Sequence, residues 1–343
     1  MATYDGLFDA MGLRTWCDGD TDKGTTMSMS DLLAKSGGGG DKAWWDIPFP
    51  SLDALNASCK AMPRTRELTS GVEQAFLDVK DALKFVLDPI TQPLSWLLDG
   101  SLYLFGNTPW WVLIPLILIL VHRAGRSTGV TAFVAITFLF MAFIDHYGFA
   151  IQTLSIIFVC TCLSILFGVP LGIAMSKNNG FQRGMIPVLD MLQTLPSFVY
   201  LIPLIFLFSV TEPKLYGIAI IMYAIVPVIR LTDLGIRLVD KDVIEAADAF
   251  GMTARQKLFG VEIPLALPNI MAGVNQTIMM ALAMVVIASL VSAPGLGVLV
   301  LRGIRNLELG VGLISGFCIV LLAVVLDRVS KAALARINAA QDA

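Results

Sequence analysis

The residue types that ordinarily carry chemistry are few in this chain and poorly grouped. The five cysteines are Cys17, Cys59, Cys160, Cys162 and Cys318. The nearest pair, Cys160 and Cys162, lies in an apolar run with no second pair to match it, which does not fit a metal-ligand spacing. The two histidines, His122 and His146, are too separated to suggest a metal site or a proton relay. A Gly-x4-Gly-Lys-Ser/Thr phosphate loop is missing, since the glycine run ending at Lys42 has Asp41 before the lysine and Ala43 after it. ATP, if it is used, must bind another chain.

What remains is a chemistry of weak contacts inside apolar surroundings. Gln193, Thr194, Asn275, Gln276 and Thr277 are polar residues within apolar stretches, where each needs either a partner or a water-filled cavity. They are therefore candidates for a translocation path, and bonding between neighbouring helices is the competing reading. Thr194-Leu195-Pro196-Ser197 interrupts an otherwise continuous apolar helix. Broken helices at membrane depth tend to line cavities, which ranks Gln193 and Pro196 above the others. Phe198 and Tyr200 follow the break, and their ring faces can attract a methylated ammonium group that offers no hydrogen-bond donor. Core packing is the competing reading and the favoured one, because Phe is common in any membrane bundle.

The elements that must position these residues are membrane helices. Of 343 residues, 56% are hydrophobic and only 15% charged, and the mean hydropathy is +0.75. A soluble domain of this length could not carry such a composition. The net charge of −3 and the absence of a long Lys/Arg run argue against nucleic acid as a partner. Apolar stretches at 109–122, 129–144, 149–175, 185–209, 215–236, 268–291 and 311–328 predict about seven spans. The expected fold is thus an all-α polytopic bundle, with the first two spans the shortest. Gly168/Gly172 and Gly312/Gly316 are read as close-packing positions.

Ahead of the spans, residues 1–68 read as a polar, Gly/Pro-rich and mostly disordered tail, with no basic segment leading into an apolar run and hence no cleavable signal peptide expected. Cys17 and Cys59 lie in it and could pair if the tail is outside the cytoplasm, although two cysteines alone do not establish this. Within residues 69–100, Val72, Ala75, Phe76, Val79, Leu83, Val86 and Leu87 recur at helical spacing among charges, which predicts an amphipathic helix lying on the membrane. Alternate loops between spans carry the basic residues: Arg123 and Arg126, then Lys177 and Arg183, then Arg230 to Lys257, then Arg328 to Arg336. Basic loops stay in the cytoplasm, so the tail is expected outside and the C-terminal residues 336–343 inside. The permease domain spans 101–335.

The connection between spans five and six, Arg230 to Pro268, is too polar for the membrane and too long for a turn. Glu245, Ala246 and Ala247 are expected to open a short helix, Gly251 to let the chain bend sharply, and a second helix to run towards Val261 before Pro264 ends it. This predicts a helix-turn-helix along the cytoplasmic face, covering residues 240–264.

That segment resembles the inner-membrane permeases of ABC importers, whose shared pattern is EAA, three residues, Gly, nine residues, then Ile-x-Leu-Pro. Here it reads Glu245-Ala246-Ala247, Gly251, then Val261-Glu262-Ile263-Pro264, with conservative changes of Ile to Val and Leu to Ile. The stretches LDMLQTLPSFVYLIPLIFLF, IMAGVNQTIMMALAMVVIASLV and GLGVLVLRGI are similar to the glycine betaine/proline betaine importers of ProU and OpuA type, over residues 95 to 335. The resemblance implies a type I importer permease in a bacterial inner membrane, forming a homodimer. Its 245–264 residues would dock on two copies of an ATPase that carries ATP and Mg, and a periplasmic or lipid-anchored binding protein would deliver the solute. It implies a translocating subunit, not an enzyme, with no cofactor of its own, moving a small methylated onium compound by alternating access. Glycine betaine or proline betaine comes first, with choline, trimethylamine N-oxide and dimethylsulfoniopropionate also compatible. A stand-alone ion-coupled transporter or channel is the alternative, opposed by the lack of an Asp, Glu or Lys at any span centre.

Overall fold

This computed structural model describes residues 8, 10–12, 17, 49, 51–59 and 61–341. Contacts divide the chain into two units, 1–83 and 84–343. In the first, a disulfide joins Cys17 to Cys59, 42 residues apart. Phe8 packs on the buried cystine, and Leu55, Ala61 and Met62 close over it. Helix α1, Leu52–Ser58, supplies Leu55, and Asp53 Oδ1 accepts the Thr65 N–H at 3.0 Å. That bond satisfies a free donor at the start of α2, Thr65–Asn107. The Gly-rich run and the tryptophan pair of the expected tail lie outside the described residues. The described residues 51–59 and 61–65 include α1, helical where disorder was expected, beside a covalent staple and a small apolar cluster in place of a conventional core.

Helix α2 exceeds the expected 69–100 at both ends and continues into the second unit. Its apolar residues Phe85, Val86 and Ile90 are exposed. Beyond Pro89 and Pro93 it becomes part of the bundle: Leu98 is fully buried, and Ser101 Oγ lies 2.7 Å from Ser155 Oγ.

The chain bends by 112° into α3, Trp110–Gly125, which is followed by α4, Thr128–Phe143. Each has only 16 residues, short of the roughly 20 that cross a bilayer upright. Next come α5 (Tyr147–Lys177), α6 (Asn179–Thr194), a 3-10 turn (Ser197–Tyr200), α7 (Leu201–Leu207) and α8 (Pro213–Arg237). Helices α9 (Lys241–Ala249) and α10 (Ala254–Lys257) precede a π turn (Leu258–Glu262) that leads into α11 (Ile263–Ala288). After a second 3-10 turn, Ser289–Val291, α12 (Leu296–Arg305) and α13 (Leu309–Gln341) complete the described chain.

Among the described residues, four helices are long and apolar enough to cross a membrane singly: Tyr147–Lys177, Pro213–Arg237, Ala254–Val291 and Leu309–Arg336. The 185–209 stretch, expected as a span interrupted at Thr194–Ser197, is bent there by 104° between α6 and the 3-10 turn. Pro196 has no N–H to continue the ladder, and it holds Leu195 in an extended conformation, φ −64° and ψ 134°.

Helix α8 is the centre of the second unit and packs chiefly against α11 and α5. Glycine lets the backbones meet: a Cβ on Gly172 would stand 2.6 Å from both the Ile229 carbonyl oxygen and Thr232 Cβ, and one on Gly273 would stand 3.0 Å from Val228 Cα. The expected close packing at Gly168 and Gly172 is therefore present. For Gly312 the neighbour is Gly303 of α12, and Gly316 meets nothing within 4 Å.

Candidate functional site

The 240–264 segment is built by its caps. Asp240 Oδ1 accepts the Asp242 N–H at 3.0 Å, so α9 opens at Lys241, and Glu245, expected at a helix start, sits in its middle with an exposed side chain. The aspartate satisfies a donor at the helix end more directly than the later glutamate can. The carbonyls of Ala246 and Ala247 accept the closing bonds from Phe250 N at 3.0 Å and Met252 N at 3.1 Å. Ala247 is buried, and Gly251 turns the chain at φ +74°, the left-handed conformation expected of a glycine stop.

Thr253 and Gln256 then form a reciprocal capping box that starts α10. Lys257 Nζ reaches back to Asp248 at 2.6 and 2.9 Å, bracing α10 against α9. Phe250 is 86% exposed and Phe259 61%, with Val243 and Met252 also open, so apolar side chains project from an otherwise charged segment.

Pro264 was expected to end the second helix, but it lies in the first turn of α11. The preceding π turn carries the Ile263 N–H to Leu258 O, so the ladder shifts just where proline withdraws its donor. Val261 and Ile263 are half-buried on this turn, and Glu262 between them is buried.

Charged residues around the root of the segment form a network that sequence reading missed. Arg237 donates through Nε to Asp233 Oδ1 at 2.8 Å, through Nη1 to Asn179 Oδ1 at 2.7 Å and through Nη2 to Met175 O at 2.7 Å. Gln182 Nε2 donates to Asp233 Oδ2 at 2.7 Å, Lys177 pairs with Glu262, and Arg230 pairs with Asp190. In the sequence Lys177, Arg230 and Arg237 served only as topology markers at span ends and their acidic partners were not singled out for pairing, because pairing between separate helices has no local signature.

At the start of α8, Lys214 is buried between Asp88 at 2.7 Å and Glu212 at 2.9 Å, and its ammonium lies 5.1 Å from the centre of the Phe208 ring. It ties α2 to α8.

The candidate path residues fall into two groups. Gln193, Thr194, Pro196 and Phe198 lie at the break after α6, open or half-open, and Phe198 is 56% exposed. Tyr200 is buried there, and its hydroxyl donates to Leu192 O, which pins the 3-10 turn to α6. This turn packs against α11, the helix that carries Asn275, Gln276 and Thr277. Asn275 Nδ2 donates to Asp327 Oδ1 at 3.1 Å and its Oδ1 accepts from Ser330 Oγ at 2.6 Å, so its amide bonds α11 to α13. Gln276 is exposed, and the buried Thr277 hydroxyl has no hydrogen-bond partner among the described residues. No group of three or more potential metal ligands occurs among the described residues.

The chain is similar to known proteins. The family model described as "Binding-protein-dependent transport system inner membrane component" matches residues 164–339. The glycine betaine transport system permease protein OpuAB of Bacillus subtilis (strain 168) is 40% identical over 229 residues, covering 66% of this chain and 76% of OpuAB. The glycine betaine/proline betaine transport system permease protein ProW of Escherichia coli (strain K12) is 37% identical over 301 residues, covering 87% of this chain and 84% of ProW. A solved structure of the inward-facing MetNI methionine ABC transporter aligns with a TM-score of 0.50 at 18% identity, over 55% of this chain and 94% of that one. The fold is therefore that of an importer permease rather than of a stand-alone carrier. With its bundle centred on α8 and its capped 240–264 segment between two spans, the chain belongs to the family of binding-protein-dependent transport system inner membrane components.

Proposed function

We propose that this permease subunit carries a small methylated onium osmolyte into the cytoplasm, glycine betaine or proline betaine first, driven by an ATPase that docks on residues 240–264. The carrying observation is the exposed apolar set Val243, Phe250, Met252 and Phe259, presented on two short, well-capped helices between long spans. Such knobs need a protein groove, since exposed Phe on a charged segment serves neither solvation nor the lipid core. Glu245, Ala246, Ala247 and Gly251 shape the knob, and Val261, Ile263 and Pro264 join it to α11.

Two copies of the permease bind two ATPases, and a binding protein delivers solute from outside. ATP-driven closure of the ATPases draws the paired segments together and opens the bundle outward, and hydrolysis resets it. The break at Gln193 to Tyr200 and the neighbouring face of α11 line the path. The exposed apolar stripe of α2 lies on the membrane surface. The Cys17–Cys59 disulfide supports a tail outside the cytoplasm, where disulfides persist.

The test is ATP-dependent uptake of labelled glycine betaine by vesicles containing the complex. Glu245→Lys and Gly251→Pro are each expected to abolish uptake while the chain remains in the membrane, the second because proline cannot adopt φ +74°. Uptake that proceeds without any ATPase, driven by an ion gradient alone, would show the reading to be wrong.

A further inference from the structure

The excursion of residues 238–261 leaves the bundle after Arg237 and returns at Glu262. Both of these residues are bonded to the same corner, Met175 to Asn179, where α5 ends and α6 begins. Arg237 holds Met175 O and Asn179 Oδ1, each at 2.7 Å, and Glu262 takes the Lys177 ammonium. Asp233, which orients Arg237 through Nε at 2.8 Å, also accepts from Gln182 on the first turn of α6 at 2.7 Å. Two turns further along α6, Asp190 pairs with Arg230. The two roots of the excursion thus converge on one short corner, and the neighbouring charges bind the helix that starts there.

This arrangement is not what stability alone requires. Lys177 is 44% exposed, so its pair with the buried Glu262 is partly screened by solvent and contributes little to stability by itself, whereas removing Lys177 leaves the Glu262 charge buried without its partner. Glu262 is 4% exposed and stands in a π turn, a rare backbone form that concentrates at functional positions. It also occupies the position that the Ile-x-Leu-Pro pattern leaves open, so the pair is a feature of this chain rather than of the shared motif.

At its other end α5 is bonded to the same stretch of chain again, since Thr153 Oγ1 accepts the Leu296 N–H at 2.9 Å. Helix α5 is pinned near both ends to the run from Glu262 to Leu296, and α6 hangs from the lower pin. Helix α6 leads directly to the break at Leu195 and Pro196.

We propose that the Met175–Asn179 corner is the input point through which movement of the 240–264 segment reaches the broken helix α6, with Arg237, Lys177 and Glu262 as the positioning residues that hold the segment to it. The proposal rests on the coupling reading given above. Displacement of the segment pulls on the corner at two places, so α6 follows it as a rigid arm and the break at its far end opens or closes. Without the ionic grip, the segment can move while α6 stays behind.

The discriminating quantity is solute moved per ATP hydrolysed, measured with the complex purified through this chain and reconstituted in proteoliposomes with its binding protein. Glu262→Gln and Lys177→Gln are each expected to lower labelled glycine betaine carried per ATP several-fold, and the exchanged pair Lys177→Glu with Glu262→Lys to recover most of it. A merely structural contact would change the amount of assembled complex and leave that ratio alone. The double variant Lys177→Gln with Glu262→Gln, which leaves no unpaired charge behind, decides the matter if the single variants fail to insert. A lowered ratio in it supports the proposal, and an unchanged ratio overturns it. Glu245→Lys, run in parallel, separates the two readings: if that variant retains its ATPase and normal uptake, the coupling reading itself has failed.

Discussion

At the scale of single residues, the molecule distinguishes glycines that the sequence presents as equivalent pairs. Gly172 lies against the Ile229 carbonyl and Thr232 Cβ, both 2.6 Å from where a Cβ would sit, whereas Gly316 meets nothing within 4 Å. Gly172→Val should therefore destabilise the bundle by about 1–3 kcal/mol through overpacking, and Gly316→Ala should leave it unchanged. Thermal unfolding of the purified chain in detergent checks both, and equal melting of the two variants would contradict the assigned contacts. Polar residues divide in the same way. Asn275 and Gln276 are neighbours in sequence, yet the first is spent on Asp327 and Ser330 while the second is exposed. One residue of rotation around a helix changes which neighbour a side chain meets, so the sequence could nominate both and rank neither.

At the scale of elements, the 240–264 segment was legible because its signals are local. Glycine at 251 stops a helix by its own backbone freedom, and Thr253 with Gln256 caps the next through contacts three residues apart. Thr253→Ala should cost α10 about 1 kcal/mol. Amide exchange across residues 254–258 should then quicken by roughly five-fold, and unchanged protection would mean that packing, not the cap, holds the turn. The π turn was not legible. Pro264 carries the same local signal whether it ends one helix or begins another, and only the continuing apolar run of α11, packed on α8, decides for the second. The broken span shows the opposite case, in which Pro196 imposed its bend as its covalent structure dictates.

At the scale of the whole molecule, the small N-terminal unit depends on one covalent link. Closing 42 residues with the Cys17–Cys59 disulfide restricts the unfolded chain by an amount typically worth about 2–4 kcal/mol. Cys17→Ser should therefore make the 51–62 region readily cleaved by protease. The freed Cys59 should react with a membrane-impermeant maleimide on unpermeabilised cells if the tail is outside, and labelling only after permeabilisation would reverse the assigned orientation. Composition, the length of the apolar runs, the spacing of the basic loops and the Glu245 to Pro264 pattern already establish the class of the molecule. These are properties of the chain and its solvent, and they hold before any two distant residues meet. Tertiary structure alone decided that α2 buries Leu98 in the bundle, that Lys214 is sequestered between Asp88 and Glu212, and that Arg237 and Glu262 close on one corner. Each of these joins residues from separate elements, and no local energy term selects such partners until the helices are packed.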